Sequence, residues 1–87
     1  MLIRTQRKDR LLFLENMTFL SIDPMSFYNE KDPRHIIYAN YDDGSVNRKI
    51  ALGTYTDRDM CMDVMENLCY CYENGCLSYQ MPEVLEE

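Results

Sequence analysis

Four cysteines carry the most reactive side chains in the sequence: Cys61, Cys69, Cys71 and Cys76. A structural zinc site usually presents its ligands as close pairs of the form Cys-x2-Cys. The closest pair here, Cys69 and Cys71, encloses a single residue, and helical positions two apart point about 200° away from each other. We therefore predict no metal site, and we expect Cys61 to serve as a small buried apolar residue.

Catalysis by a cysteine nucleophile would need the single histidine, His35, beside one of these thiols. Neither His35 nor any cysteine is accompanied by the glycine turn or orienting carboxylate of such sites. None of the three glycines belongs to a phosphate-binding motif. The sequence therefore predicts a protein with no catalytic residues and no cofactor. Oxidation would allow a Cys69–Cys76 disulfide, which a reducing cytosol disfavours.

Basic and aromatic residues form the first candidate binding set. Arginine makes bidentate bonds to phosphate, and tyrosine can stack on a base. If these side chains converge, across a subunit interface for example, they can hold a small nucleotide; otherwise they are scattered surface charge and packed rings. The predicted ligand-binding residues are Arg4, Arg7, Arg10, Arg34, Arg48, Tyr38 and Tyr41, and the wider set adds Lys8, Lys49, Tyr28 and Tyr55.

Acidic residues form the second candidate set, on the outer face of a predicted helix. At helical spacing they lie opposite the apolar stripe and enclose one aromatic ring. Such a strip is either a solvated face or a docking surface for a basic partner. The predicted partner-binding residues are Asp59, Asp63, Glu66 and Tyr70, with Glu73 continuing the strip.

Length and charge limit the fold that must position these residues. The chain has 87 residues and a net charge of −6, which indicates one domain over 1–87 with an acidic tail at 82–87. Residues 1–41 carry net +1 and residues 42–87 carry net −7. The acidic balance disfavours direct nucleic-acid binding. Without a signal-like start or a long apolar run, we expect a cytoplasmic protein that does not enter membranes.

Short apolar runs predict about five strands before any helix. We predict strands at 2–5, 11–14, 17–22, 35–41 and 46–55, with the apolar run at 11–14 covered on both faces. Asp42-Asp43-Gly44-Ser45 is typical of a hairpin turn. Residues 25–34 indicate a surface loop, Gly53 a bulge or close backbone approach, and Val46, Ile50 and Leu52 are the expected anchors of the fifth strand.

One long amphipathic helix follows these strands. Thr56 is the expected N-cap and Gly75 the expected C-terminal stop. The stripe expected to face the sheet comprises Cys61, Val64, Met65, Leu68 and Tyr72. A last short strand is possible over 76–81. The fold class is therefore α+β, a small antiparallel sheet covered by one C-terminal amphipathic helix.

Three segments resemble a group of short uncharacterised proteins of low-GC Gram-positive bacteria and their phages and prophages. The segments are the opening Met-Leu-Ile-Arg-Thr-Gln, the run Ile50-Ala51-Leu52-Gly53-Thr54-Tyr55-Thr56 and the ending Tyr79-Gln80-Met81-Pro82. The Cys- and Met-rich helix and the 25–34 loop distinguish this chain. The resemblance implies a phage or mobile-element setting, in which small non-enzymatic proteins often antagonise host defence.

Two functional hypotheses follow, together with a simpler one. The first is a homo-oligomer that sequesters a nucleotide immune signal in the Arg/Tyr pocket. The second is a protein-level inhibitor of a host defence complex, similar to anti-CRISPR proteins, acting through the acidic helix face. The third is a structural or accessory phage protein with neither role. The Met-rich helix edge, with Met60 and Met62 beside the stripe, also suits a homo-oligomer contact.

Overall fold

A computed structural model describes residues 1–24, 34–42, 44 and 46–84. These ranges contain one α-helix, one 3-10 turn at Leu14–Asn16 and six strands. The α+β class expected from the sequence is confirmed. The elements in chain order are β1 Leu2–Arg4, β2 Leu11–Phe13, β3 Phe19–Pro24, β4 His35–Asp42, β5 Asn47–Tyr55, α1 Arg58–Glu73 and β6 Ser78–Gln80.

The strands form two three-stranded sheets rather than the single antiparallel sheet that we expected. One sheet has the order β3-β4-β5 and is antiparallel throughout. The other has the order β2-β1-β6, and its β1–β6 pair is parallel. Strand β1 pairs with β6 from the opposite end of the chain, and no local pattern in the sequence reveals a pairing of that span. The last strand is present, at Ser78–Gln80.

The β4–β5 hairpin contains a β-bulge, which the position of Gly53 near the end of the strand indicated. Ile37 pairs with Gly53 and Tyr38 with Ala51, so Leu52 is the extra residue of a bulge. A Cβ atom on Gly53 would lie 2.8 Å from the hydroxyl oxygen of Tyr55. Of the two alternatives expected for this glycine the bulge is confirmed, and the close neighbour is a side chain, Tyr55, rather than another backbone segment.

Apolar side chains from both sheets and the helix meet in one core. Alternation in β3 turns Leu20 and Ile22 toward it, as the period of two predicted. The buried members of the core are Ile3, Ile37, Ala39, Leu52, Tyr55, Cys61, Val64, Leu68 and Met81.

Two predictions about apolar strand residues are wrong. Leu11 and Phe13 are 61% and 55% exposed, because β2 is an edge strand with only Leu12 turned to the core. Val46 is 53% exposed because it precedes β5, whereas Leu52 is buried as expected.

The N-cap of the helix is Asp57 rather than Thr56, one residue later than predicted. The Asp57 carboxylate accepts a 2.7 Å hydrogen bond from the Met60 amide, and the Thr56 hydroxyl contacts only the Met60 sulfur at 3.9 Å. The core-facing stripe also ends early: Cys61, Val64 and Leu68 are buried, but Tyr72 is 56% exposed. The last turn of α1 therefore extends beyond the cover of the sheet.

Two predicted segments lie largely outside the described residues. Of the loop expected at 25–34, the structure describes only Arg34. Of the acidic tail expected at 82–87, it describes Pro82, Glu83 and Val84. Val84 packs against the core, and the Pro82 carbonyl accepts hydrogen bonds from Gln6 and Tyr55. The start of the tail is therefore part of the folded domain.

Candidate binding grooves along strand β5

The turn between β1 and β2 positions two of the predicted arginines. The Thr5 amide donates to the Arg10 carbonyl at 3.1 Å, and the Lys8 amide donates to the Thr5 carbonyl at 2.9 Å. Lys8 has a positive φ of 64°, which turns the chain back toward β2. The buried Thr5 hydroxyl donates to the Asp9 carboxylate at 2.9 Å. These bonds hold the turn in one shape.

Gln6 connects this turn to the free edge of β5 by hydrogen bonds. Its backbone amide donates to the Leu52 carbonyl at 2.8 Å. Its side-chain amide accepts from the Thr54 amide at 2.9 Å and donates to the Thr54 carbonyl at 3.1 Å. A second 3.1 Å bond runs to the Pro82 carbonyl. Gln6 thus satisfies backbone groups of β5 that a neighbouring strand would otherwise pair.

The first depression, the turn groove, lies between this turn and β5. Its volume is about 400 Å³. Three cationic side chains line it, Arg7 and Arg10 from the turn and Lys49 from β5, together with one carboxylate, Asp9. The Asp9 carboxylate is already hydrogen-bonded to Thr5. The groove therefore has a net positive lining in a protein of net charge −6.

The second depression, the edge groove, follows β5 toward its start. It has a volume of about 670 Å³ and is lined by Tyr41, Asp42 and Arg48 among others. Lys49 and Ile50 line both grooves. The two depressions are therefore neighbours on the same strand, and together they bring four cations and one tyrosine to the edge of β5.

Lys49 has partners of its own at the junction of the grooves. Its ammonium group lies 3.4 Å from the Asp23 carboxylate and 5.5 Å from the centre of the Tyr38 ring. Asp23 also accepts a hydrogen bond from Ser21 at 3.3 Å. These exposed contacts orient the Lys49 side chain along the face of the sheet without burying it.

The structure does not bring all seven predicted ligand-binding residues together. Arg7 and Arg10 line the turn groove, and Tyr41 and Arg48 line the edge groove. Arg34 lines a third depression of about 310 Å³ with Glu83 and Val84, and this depression shares Gln6 and Thr54 with the turn groove.

The other members of that set lie outside these grooves. Tyr38 sits under Lys49 rather than in a groove lining. Arg4 is exposed on β1, Lys8 pairs with Glu83 at 3.2 Å, and Tyr55 is buried in the core. Tyr28 lies outside the described residues.

The predicted acidic strip is present on the outer face of α1. Asp59, Asp63 and Glu66 are exposed, and Tyr70 is 67% exposed. Within the described part of the chain, no ion pair involves these three carboxylates. Glu73 differs, because it accepts a hydrogen bond from the Cys69 thiol at 3.6 Å.

The cysteines point in different directions, as the spacing of Cys69 and Cys71 predicted. Cys61 is buried and its thiol donates to the backbone carbonyl of His35 at 3.8 Å, not to the imidazole. Burial raises the pKa of Cys61 to about 11, which keeps it a neutral thiol. Among the described residues, no three His, Cys, Asp or Glu side chains converge as metal ligands would.

Two contributors to the grooves are not among the predicted ligand-binding residues. Lys49 belongs to the wider basic set, and only its place on β5 shows that it joins the two grooves. Gln6 was not singled out at all, because its partner Thr54 is 48 positions away in sequence. The local sequence around Gln6, a polar residue directly after a short strand, does not predict a contact with a residue so distant in the chain.

Comparison of the chain with protein-family models, with curated proteins and with solved structures found no significant match. Across the described residues, no helix has the length and apolar content needed to cross a membrane.

Proposed function

We propose that this protein is a non-catalytic binding protein that holds a phosphorylated, nucleotide-type ligand along the edge of β5. The observation that carries the proposal is that Arg7 and Arg10 line one groove and Arg48 and Tyr41 line an adjoining one, with Lys49 at their junction and its ammonium group 3.4 Å from Asp23. These residues come from two separate segments of an acidic chain. Guanidinium groups bind phosphate oxygens in pairs, and the Tyr41 ring offers a face for a base.

The biological role we propose for this binding is sequestration. In the phage or mobile-element setting that the sequence resemblance implies, the ligand would be a nucleotide immune signal, and its removal would antagonise host defence. A homo-oligomer would enclose a ligand that the open grooves of one chain leave partly exposed to solvent. This role needs only binding, so it fits the absence of catalytic motifs in the sequence.

The direct test is thermal stabilisation of the purified full chain by a cyclic dinucleotide and by ADP-ribose, with the matching nucleosides as phosphate-free controls. At a ligand concentration one hundred times Kd, linkage predicts about 2.7 kcal/mol of added stability. We expect Arg10→Ala and Lys49→Ala each to raise the ligand concentration needed for the same stabilisation at least about tenfold. This is the effect expected from losing one hydrogen bond to a charged group.

Arg58→Ala is the matched control, because Arg58 is exposed in the first turn of α1 and lines none of the three grooves. It should leave the stabilisation unchanged. Nucleosides that stabilise as well as the phosphorylated compounds would overturn the proposal, as would equal losses in Arg10→Ala and Arg58→Ala.

A second candidate function is inhibition of a host protein through the acidic helix face. It is favoured by the exposed carboxylates of Asp59, Asp63 and Glu66, which have no ion-pair partner among the described residues, beside the exposed Tyr70 ring. This function predicts that a basic host protein co-purifies with the chain and that Asp63→Lys or Glu66→Lys releases it. The groove variants Arg10→Ala and Lys49→Ala would not affect that complex, so the two candidates are separable.

A further inference from the structure

Two cysteines are brought together by the way in which α1 ends. The Cys76 amide donates to the Cys71 carbonyl at 3.0 Å, and the Gly75 amide donates to the Tyr72 carbonyl at 3.2 Å. Gly75 has a φ of 73°. This pair of bonds with a left-handed glycine is a Schellman motif, in which the residues at the positions of Cys71 and Cys76 make a side-chain contact.

The two thiols of this pair lie at neighbouring positions of the motif and remain accessible. Cys76 is exposed and Cys71 is partly exposed, and all four cysteines are free thiols. Partial burial and a hydrogen bond with the Cys76 side chain raise the pKa of Cys71. Cys69 is turned away toward Glu73, and Cys61 is enclosed in the core. Cys71 and Cys76 are therefore the pair of thiols positioned to react with each other.

The backbone geometry satisfies the distance requirement for a disulfide. With the Cys76 nitrogen 3.0 Å from the Cys71 oxygen, standard bond lengths keep the two Cα atoms within about 7 Å. A disulfide needs Cα atoms closer than about 7 Å and Cβ atoms that approach each other. We propose that Cys71 and Cys76 form an intramolecular disulfide by exchange with low-molecular-weight disulfides such as glutathione disulfide.

The exchange balances as a two-electron oxidation. The more exposed Cys76, as thiolate, attacks one sulfur of glutathione disulfide, which breaks the oxidant's S–S bond and releases the first glutathione thiolate. The Cys71 thiolate then attacks the Cys76 sulfur, forming the protein disulfide and releasing the second glutathione. Two electrons pass from the cysteines to the oxidant, and the two thiol protons end on the released glutathiones at neutral pH.

The bond would link the end of α1 to the segment that leads into β6. Strand β6 pairs with β1, and Tyr79 at its centre packs against the core. The pKa of the Tyr79 hydroxyl is raised, first by burial and second by the nearby Cys71 thiolate. Oxidation would therefore tie the exposed last turn of the helix to the segment before β6, and reduction by glutathione would release it.

The test is equilibration of the full chain in glutathione buffers of increasing oxidised fraction, followed by acid quenching, alkylation of free thiols and intact mass measurement. We expect a species lighter by the two lost hydrogens, with two thiols left to alkylate. Cleavage after Glu73 separates the two cysteines of the pair, so the disulfide should appear as a cross-linked peptide containing Cys71 and Cys76.

Three serine variants make the assignment specific. Cys71→Ser and Cys76→Ser should lose the intramolecular disulfide and instead gain a glutathione adduct on the remaining thiol. Cys69→Ser, the matched control in the same helix, should form the disulfide at the same buffer ratio as the parent chain. A Cys69–Cys76 cross-link in the parent, or separate glutathione adducts on Cys71 and Cys76 without closure, would overturn the proposal without any variant.

Discussion

The two ends of α1 carry the same residue types in opposite environments. Near the beginning, Cys61 and Val64 are buried against β4 and β5, and the first turn is capped by Asp57. At the end, Tyr72 of the same stripe is 56% exposed, and the left-handed Gly75 turns the chain so that the Cys76 amide bonds to the Cys71 carbonyl. The comparison shows that the apolar stripe of a helix is buried only as far as the sheet extends.

The contrast in cysteine chemistry follows from the same difference. Burial raises the pKa of Cys61 to about 11 and leaves its thiol bonded to a backbone carbonyl. Cys71 and Cys76 lie where solvent and small oxidants have access. One helix therefore holds an inert structural cysteine and a pair suited to redox exchange.

The largest expected effect comes from truncating Leu68, the last buried side chain of the apolar stripe on α1. Leu68→Ala should lower the free energy of unfolding by about 2–5 kcal/mol, since Leu68 is only 6% exposed. Tyr72→Ala, on the same stripe one turn later, should lower the free energy of unfolding by less than about 1 kcal/mol. Urea unfolding followed by circular dichroism measures both. Equal losses would mean that the sheet supports the whole length of the helix.

The next effect tests the glycine that ends the helix. Gly75→Ala should cost about 1–2 kcal/mol, because its φ of 73° is unfavourable for a residue with a Cβ atom. Gly75→Asn is the matched control, since asparagine tolerates this conformation better. Thermal unfolding of both variants gives the comparison. A Gly75→Ala variant as stable as the parent would show that the turn does not need a left-handed residue.

A similar or smaller effect is expected at the N-cap. Asp57→Ala should cost about 1 kcal/mol through loss of the 2.7 Å bond to the Met60 amide. Asp57→Asn keeps an acceptor and should retain most of the stability. Thr56→Ala should be close to neutral, because Thr56 contacts only the Met60 sulfur. Chemical denaturation ranks the three variants, and a costlier Thr56→Ala would reinstate Thr56 as the cap.

A further effect, confined to alkaline conditions, is expected in the pH dependence of stability. Cys61 has a pKa of about 11 in the folded chain, above its ordinary value, and burial also raises the pKa of Tyr55. The folded state therefore keeps protons that the unfolded state releases, so stability falls as pH rises from about 9 toward 11.

The Cys61→Ala variant provides the control for that pH dependence. It should show a shallower decline over the same pH range when unfolding free energies are measured at each pH. A decline as steep as that of the parent would assign the effect to the tyrosines instead of Cys61.

Much of the local structure could be predicted from the sequence, because local structure depends on neighbouring residues. The alternation that turns Leu20 and Ile22 inward, the bulge at Gly53 and the stop at Gly75 are all visible in short windows. The exact N-cap was missed by one residue, since Thr56 and Asp57 are both good capping residues and only the backbone geometry selects between them.

The candidate site could be predicted only as a set of residue types. The sequence by itself determined the α+β class, most element positions and the excess of basic side chains in the first half of the chain. Only the tertiary structure decided that β1 pairs with β6, that Gln6 binds Thr54, and that Lys49 joins two grooves. Those contacts join segments far apart in the chain, whose approach depends on how the whole core packs rather than on any local preference.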